Sequence, residues 1–175
     1  MKSTQPSLNK LFPLPLVKTD NGLSIPAEVM VGVWQQIVAE GKQDLLFYDG
    51  SVKNLKEWID YIYNPQNHVV LIIDNLGHIY HVCWLNKFYQ GHGFVHHCSL
   101  GKYNRNTWPT LRDYWKSMEI INTVLGVTPV TNQAAVKLLR VIGWTELGVI
   151  PGLCYLAKES RHVGGVISFY VINEV

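Results

Sequence analysis

The central segment of the chain, residues 69–100, most constrains the fold, because it contains apolar runs separated only by short turns. Three extended segments follow one another there, with glycine-containing turns between them: 69–73, 79–85 and 94–100. Parallel neighbours need crossover connections of about a dozen residues or more, so strands joined by turns this short pair antiparallel. The sequence therefore predicts an antiparallel meander of three strands.

Helices are predicted on both sides of this meander. Apolar residues recur at helical spacing in four segments: from Pro26 to Gly41, 54–63, 109–118 and 132–142. Ser24 and Asn132 are the expected N-caps of the first and last helix, and Gly143 is expected in the left-handed region just after the last one.

Further strands complete the predicted sheet. They are expected at 11–17, where two prolines favour a sheet edge, at 123–130, and near 154–157 and 166–172. The element order predicts an α+β fold, in which about four helices flank a mixed, mostly antiparallel sheet. The whole chain, 1–175, is expected to form one domain, with 1–10 as a flexible N-terminus.

Composition excludes several classes of protein. The chain is 47% hydrophobic and 16% charged, with a net charge of +2, so it is expected to collapse around a core. The chain has a small basic patch, formed by Lys102, Arg105, Arg112 and Lys116. Its positive charge is too small to indicate nucleic-acid binding. No apolar stretch has the ~20 residues of a membrane span, no secretory signal is evident, and three cysteines without paired spacing favour a reducing, cytoplasmic location.

A motif near the C-terminus carries a family resemblance. The segment 128–152 places an Asn, an Ala three residues later, a Gly followed by an aromatic, and then Gly-x-Ile-Pro: Asn132, Ala135, Gly143, Trp144, Gly148, Ile150 and Pro151. This pattern resembles the C-terminal half of the GNAT superfamily of acyl-CoA-dependent N-acyltransferases. The order of helices and strands along the rest of the chain is similar to that family too.

The resemblance implies a fold detail and a cofactor. In the family, two central parallel strands splay apart, and their unpaired backbone groups bind the pantetheine arm of acetyl-CoA. The matching strands here are 123–130 and the one that ends at Cys98, Ser99 and Leu100. Asn132 and the small Ala135 would lie beside the cofactor, although Asn132 also suits an ordinary N-cap.

The loop that would hold the pyrophosphate departs from the family pattern. The family has Arg/Gln-x-x-Gly-x-Gly/Ala there, and its backbone amides face the phosphates. The matching positions in this chain are Arg105, Trp108 and Thr110, and Pro109 removes one amide. A second departure is Leu139, which stands where many members have a tyrosine that protonates the departing thiolate.

Candidate proton-transfer residues lie on and after the third strand of the meander. His96 and His97 suit a general base, because an unperturbed histidine titrates near ~6.5, and Tyr103 is a candidate proton donor. Strand alternation sends the two histidines to opposite faces, so at most one is expected to face the cleft. Packed or surface histidines remain the alternative.

Two other kinds of site are weighed and set aside. The spacing of the histidines along extended strands does not suit chelation, so no metal site is predicted. Cys98 could be read as a nucleophile, but a cysteine in an apolar strand is usually an inert core residue.

Two functions follow from these residues. The first is a GNAT-type transferase that moves an acetyl group from acetyl-CoA to a primary amine on a small molecule or a protein. The alternative is an inactive GNAT-fold structural or interaction protein with a protein partner, similar to phage-encoded members assigned to head assembly. A homodimer through the terminal strands would also fit the resembled family.

Overall fold

The computed structural model describes residues 10–20 and 22–173. The first nine residues, most of the N-terminal segment expected to be flexible, lie outside the described residues, as do 21 and 174–175. The strands are β1 (Leu11–Pro15), β2 (Lys18–Thr19), β3 (Gly22–Leu23), β4 (His68–Asp74), β5 (Ile79–Tyr89), β6 (His92–Ser99), β7 (Thr123–Pro129), β8 (Thr145–Leu156) and β9 (Arg161–Val171). The helices are α1 (Ala27–Ala39), α2 (Gln43–Leu46), α3 (Leu55–Ile62), α4 (Thr107–Ser117) and α5 (Gln133–Val141), with a 3₁₀ turn at Ala157–Glu159.

The main sheet has seven strands in the order β1-β4-β5-β6-β7-β9-β8. Every neighbouring pair is antiparallel except β6 and β7, which run parallel. Strands β2 and β3 form a separate small hairpin. The predicted α+β fold with an antiparallel meander at 69–100 and a mostly antiparallel sheet is therefore confirmed.

Helices cover both faces of this sheet. On one face, α1 and α3 pack on the strands through an aromatic core that includes Trp34, Trp58 and Trp84. On the other face, α4 and α5 pack through a second core that includes Trp108 and Trp144. Both cores are needed because successive residues of a strand point to opposite sides, and a sheet between two helical layers must be apolar on both.

Most local signals are confirmed. Asn54 and Asn132 cap their helices with side-chain oxygens, which accept from the Glu57 and Ala135 amides at 3.0 and 3.2 Å. Gly143 has φ +89°, the left-handed conformation that glycine adopts without a steric penalty.

One N-cap, one short helix and one strand bound differ from the sequence prediction. Pro26, not Ser24, is the N-cap of α1, because the Ser24 hydroxyl is used in the turn before it and donates to the Pro15 carbonyl at 2.6 Å. The short helix α2 was not predicted, since four residues are too few to show a period. Strand β8 begins at Thr145 rather than near 154, because bulges interrupt its alternation.

Replacing Asn132 by alanine is expected to lower the free energy of unfolding by ~1 kcal/mol, because the first turn of α5 loses its capping acceptor. Urea unfolding of the purified variant measures this loss. Asn132→Asp, which keeps an acceptor oxygen, is the matched control and should stay near the parent value. An alanine variant as stable as the parent would show that this cap contributes nothing.

Helices of the described part of the chain are too short or too polar to span a membrane.

Candidate functional site

The parallel strands β6 and β7 separate partway along their length. They are in register only at three pairs, His92 with Thr123, Gly93 with Val124 and Phe94 with Leu125. Beyond those pairs β6 continues to Ser99 and β7 continues to Pro129, without further pairing between the two strands in the described structure. The predicted splayed parallel pair is therefore present.

Backbone groups of both strands face the gap between them. The Leu100 amide donates to the Tyr80 carbonyl. This hydrogen bond determines which backbone amides and carbonyls of β6 are directed towards β5. On the other side of the gap, the antiparallel pairing of β7 with β9 determines which backbone groups of β7 are directed towards β9 and which are directed towards the gap. The amide and carbonyl groups of His97 and Val127 consequently point into the gap.

A cavity of about 90 Å³ occupies the gap. It is lined from β6, β7, α5 and the segment around α2, and the lining includes Val95, His96, His97, Gly126, Val127, Asn132, Ala135, Leu139, Trp144 and Tyr48. The Trp144 ring lies so close to Gly126 that a Cβ there would be 3.3 Å from it. Glycine at this position thus lets the indole lie against β7 at the edge of the cavity.

Both candidate histidines line this cavity, so the expectation that at most one would do so is wrong. They do point to opposite faces: the His96 ring stacks on Trp84 at 5.3 Å, and the His97 ring stacks on His81 at 5.4 Å. The cavity lies between two separated strands and is open to both faces, which is why strand alternation does not exclude either residue.

Burial keeps both imidazoles neutral at physiological pH. Removal from water lowers the pKa of His97 to about 4. The pKa of His96 is also lowered to about 4, first by burial and then by the charges of Lys87 and His97, with Asp49 acting in the opposite direction. Both rings are therefore unprotonated near pH 7.

A wider groove joins the cavity on the side of α2. Its volume is about 700 Å³, and it shares Leu45, Tyr48, Pro129 and Asn132 with the cavity. Acidic and basic side chains border it, with Asp44 paired to Lys158 at 3.0 Å and Glu159 beside them. Its size is within the range of pockets that bind small molecules.

The end of β6 differs from the expected cofactor contacts. Cys98 is buried on the face of α1 and α3, where burial raises the pKa of its thiol to about 11, so it remains protonated. The Ser99 carbonyl accepts a hydrogen bond from Lys42 Nζ at 2.6 Å, and the Leu100 amide is used by Tyr80. The Ser99 carbonyl and the Leu100 amide are therefore already hydrogen-bonded within this chain.

The remaining candidates lie around the N-terminus of α4. Tyr103 and Trp108 line a space of only about 10 Å³ together with His97, so Tyr103 reaches His97 but not the wider groove. Burial raises the pKa of Tyr103, which keeps its proton. Arg105 is exposed, and the Thr110 hydroxyl donates to the Asn106 carbonyl at 2.9 Å.

Residues that the sequence did not identify come from the α1–α2 connection and from the segment just after α2. Lys42 and Glu40 form an ion pair at 2.6 Å over the end of β6, and Tyr48 lines both the cavity and the groove. Burial raises the pKa of Tyr48, so its phenol is protonated at neutral pH. Lys42 is 57 residues from Ser99 in the sequence, and no local pattern signals that contact.

Side chains that bind metals are not grouped in this site. In the part of the chain that the structure describes, no set of three or more His, Cys, Asp or Glu residues is placed to hold a metal ion.

Solved structures with similar folds were found, although no protein-family model and no curated protein matches the sequence. Spermidine N-acetyltransferase from Vibrio cholerae in complex with CoA and spermine aligns with a TM-score of 0.68 at 10% identity, over 92% of this chain and 95% of that one. Ribosomal-protein-S5-alanine acetyltransferase from Vibrio fischeri gives 0.63 at 10% identity, over 86% and 91%. A GNAT-family acetyltransferase from Streptococcus pneumoniae gives 0.64 at 15% identity, over 93% and 99%.

These alignments cover 86–93% of this chain. The identities are low, so the likeness concerns the fold. The chain has the GNAT fold of the N-acetyltransferases.

Proposed function

We propose that this protein is an N-acyltransferase that moves an acyl group, acetyl in the simplest case, from a thioester to a primary amine. The observation that carries the proposal is the gap between β6 and β7, with its cavity bordered by two neutral histidines. The solved structures of similar fold are acetyltransferases, which adds support. A thioester, when bound, supplies an activated acyl carbon: the amine nitrogen bonds to it, the C–S bond breaks, and the thiol leaves with the proton given up by the amine.

The inner part of the gap suits the acyl end of a thioester donor. The His97 and Val127 backbone groups that face the gap can bind an amide of the donor or the thioester oxygen. Trp144 lines the cavity, and its indole N–H is buried without a hydrogen-bond partner in the described structure. A buried donor of this kind is costly unless an acceptor reaches it, so a substrate oxygen here would be stabilised.

The amine acceptor is proposed to enter through the 700 Å³ groove beside α2. His96 lies on this face of the sheet and is unprotonated, so it is the proposed base for the amine. Tyr48, at the junction of groove and cavity, is a second candidate donor of a proton to the leaving sulfur besides Tyr103. The charged side chains that line the groove are balanced, two acidic and two basic, and Asp44 is paired with Lys158, so charge does not select the acceptor.

Amine-dependent release of free thiol tests this function. Acetyl thioesters are offered with a polyamine and with a peptide that has an N-terminal alanine, because the relatives' names point to these two acceptor classes. We expect product amide and thiol in equal amounts, and at least a tenfold lower kcat for His96→Gln. His92→Gln, an exposed position at the start of β6, is the matched control. Absence of amine-dependent thiol release with every thioester and both acceptors would reject the proposal.

A non-catalytic interaction protein is the second candidate, because one specific observation favours it. Trp108 is buried where the family's phosphate loop would be glycine-rich, and the space around it is about 10 Å³. Under this candidate no thioester should stabilise the protein against heat. Under the transferase proposal, ligand at a hundredfold its Kd should add ~2.7 kcal/mol and raise Tm by several degrees.

A further inference from the structure

The N-terminus of α4 is poorly built for a diphosphate. Helix N-termini bind phosphates through backbone amides that lack partners within the helix. Here the amides of Asn106 and Thr107 already donate to the side chain and carbonyl of Asn104, both at 3.0 Å. Pro109 has no amide hydrogen. The successive free amides that would cradle the diphosphate of CoA are therefore missing from this turn.

Space for phosphate is missing as well. Trp108 is only 9% exposed and packs against Tyr170, Trp144 and Trp115 with ring centroids 5.1, 5.4 and 5.8 Å apart. The space left between β6, α4 and α5 is about 10 Å³. A water molecule takes ~30 Å³ of liquid, so no diphosphate fits beside this indole without repacking the core.

The outer end of β6 is closed by charged side chains. Lys42 Nζ donates to the Ser99 carbonyl at 2.6 Å, and the Gly101 amide donates to Glu40 Oε1 at 2.7 Å. Lys42 and Glu40 also pair with each other at 2.6 Å, so each charge has a partner. A ligand that ran along β6 past His97 would have to displace this ion pair.

The inner end of the gap is continuous with the groove beside α2. The 90 Å³ cavity holds about three water volumes, enough for a thioester end group, and it continues into the 700 Å³ groove through shared residues such as Tyr48 and Asn132. The groove, at about 700 Å³, therefore offers a donor arm as well as the amine a route to the cavity away from α4.

We infer that the acyl donor is a pantetheine thioester recognised without the adenosine diphosphate part of CoA. This inference rests on the proposed transferase function and specifies its donor. The shared chemistry is an acylated pantetheine thiol, supplied either as a small molecule or as the phosphopantetheine arm of a carrier protein. The bond changes are those of the proposed reaction, with the pantetheine thiol as leaving group.

Comparison of truncated donors with the unmodified protein tests the inference. Acetyl-pantetheine, acetyl-CoA and an acetylated carrier protein are compared with the same amine. We expect kcat/KM for acetyl-pantetheine within threefold of that for acetyl-CoA. A carrier-protein thioester that reacts at least tenfold faster than acetyl-pantetheine would identify the carrier as the source, and equal rates would identify the small molecule.

Binding provides a readout that does not depend on turnover. Calorimetric titration should give Kd values for pantetheine and CoA within threefold of each other, and adenosine 3′,5′-bisphosphate should neither bind nor inhibit at millimolar concentration. Tenfold tighter binding of CoA, or inhibition by the bisphosphate, would overturn the inference and leave the transferase proposal intact. If none of the three thioesters reacts or binds, the transferase proposal fails, and the donor inference fails with it.

Discussion

Lowering the pH from 7.5 to 5 is expected to reduce the free energy of unfolding by several kcal/mol. His96 and His97 each have a pKa of about 4 in the folded protein, below the ordinary value of 6.5 that applies to the unfolded chain. Between these values the unfolded chain binds more protons, so acid favours unfolding. At pH 5 each histidine accounts for about 2 kcal/mol, because the difference from 6.5 is about 1.5 units.

Groups that neighbour His96 and His97 also favour unfolding in acid. His81 stacks on His97, and burial together with the charges of His97 and Lys42 lowers its pKa well below the ordinary value. Lys87 opposes protonation of His96, and only Asp49 favours it. The carboxylates whose pKa is lowered are Glu40, Asp74 and Glu146. The stability that they contribute is lost mainly below about pH 4.5, outside this window.

Urea unfolding at several pH values between 7.5 and 5 measures this effect. His96→Gln and His97→Gln should each flatten the curve by about 2 kcal/mol between pH 7.5 and 5. His92→Gln, at an exposed position of the same strand, is the control for a histidine-to-glutamine change in β6. Stability that does not change over this range, or a slope in either variant equal to that of the parent, would contradict the burial of these two rings.

Ala135→Phe is expected to reduce kcat/KM for acyl transfer at least a hundredfold, which corresponds to ~2.7 kcal/mol of transition-state stabilisation. Ala135 lies in the first turn of α5 and lines the 90 Å³ cavity, so a benzyl group there fills the space proposed for the thioester. The free energy of unfolding should change little, because the ring enters an existing cavity and does not overpack a filled core.

The neighbouring residue supplies the control for this substitution. Ala134 is on the same helix turn but exposed, so Ala134→Phe makes the same chemical change outside the cavity. Its kcat/KM should stay within twofold of the parent value. An Ala135→Phe protein that is folded by circular dichroism and fully active would place the reaction elsewhere in the molecule.

The order of the elements could be predicted because the signals are local. Asn54 and Asn132 accept hydrogen bonds from amides three residues away, and Gly143 adopts its left-handed conformation within its own turn. The antiparallel meander followed from short turns between apolar segments. Local signals did not predict α2, because its four residues are too few to show a helical periodicity of apolar residues. This helix is stabilised by packing beside β6.

The candidate site could be predicted only in part. The positions of Asn132 and Ala135 beside a gap between parallel strands follow from the family resemblance, and both residues line the cavity. The sequence also marked Trp108 and Pro109 as unsuited to a phosphate loop. It could not show that both His96 and His97 border the same cavity, because alternation along one strand says nothing about where the neighbouring strand separates.

By itself, the sequence determined the types of most helices and strands, the Asn132 cap and the antiparallel centre of the sheet, since each depends on residues a few positions apart. Only the tertiary structure decided that β6 and β7 separate after Phe94 and Leu125, and that Lys42 closes the end of the gap from a loop 57 residues away. Contacts of this kind depend on how the helical layers pack on the sheet. Packing brings together side chains that are far apart in the sequence, and no local sequence pattern predicts such contacts.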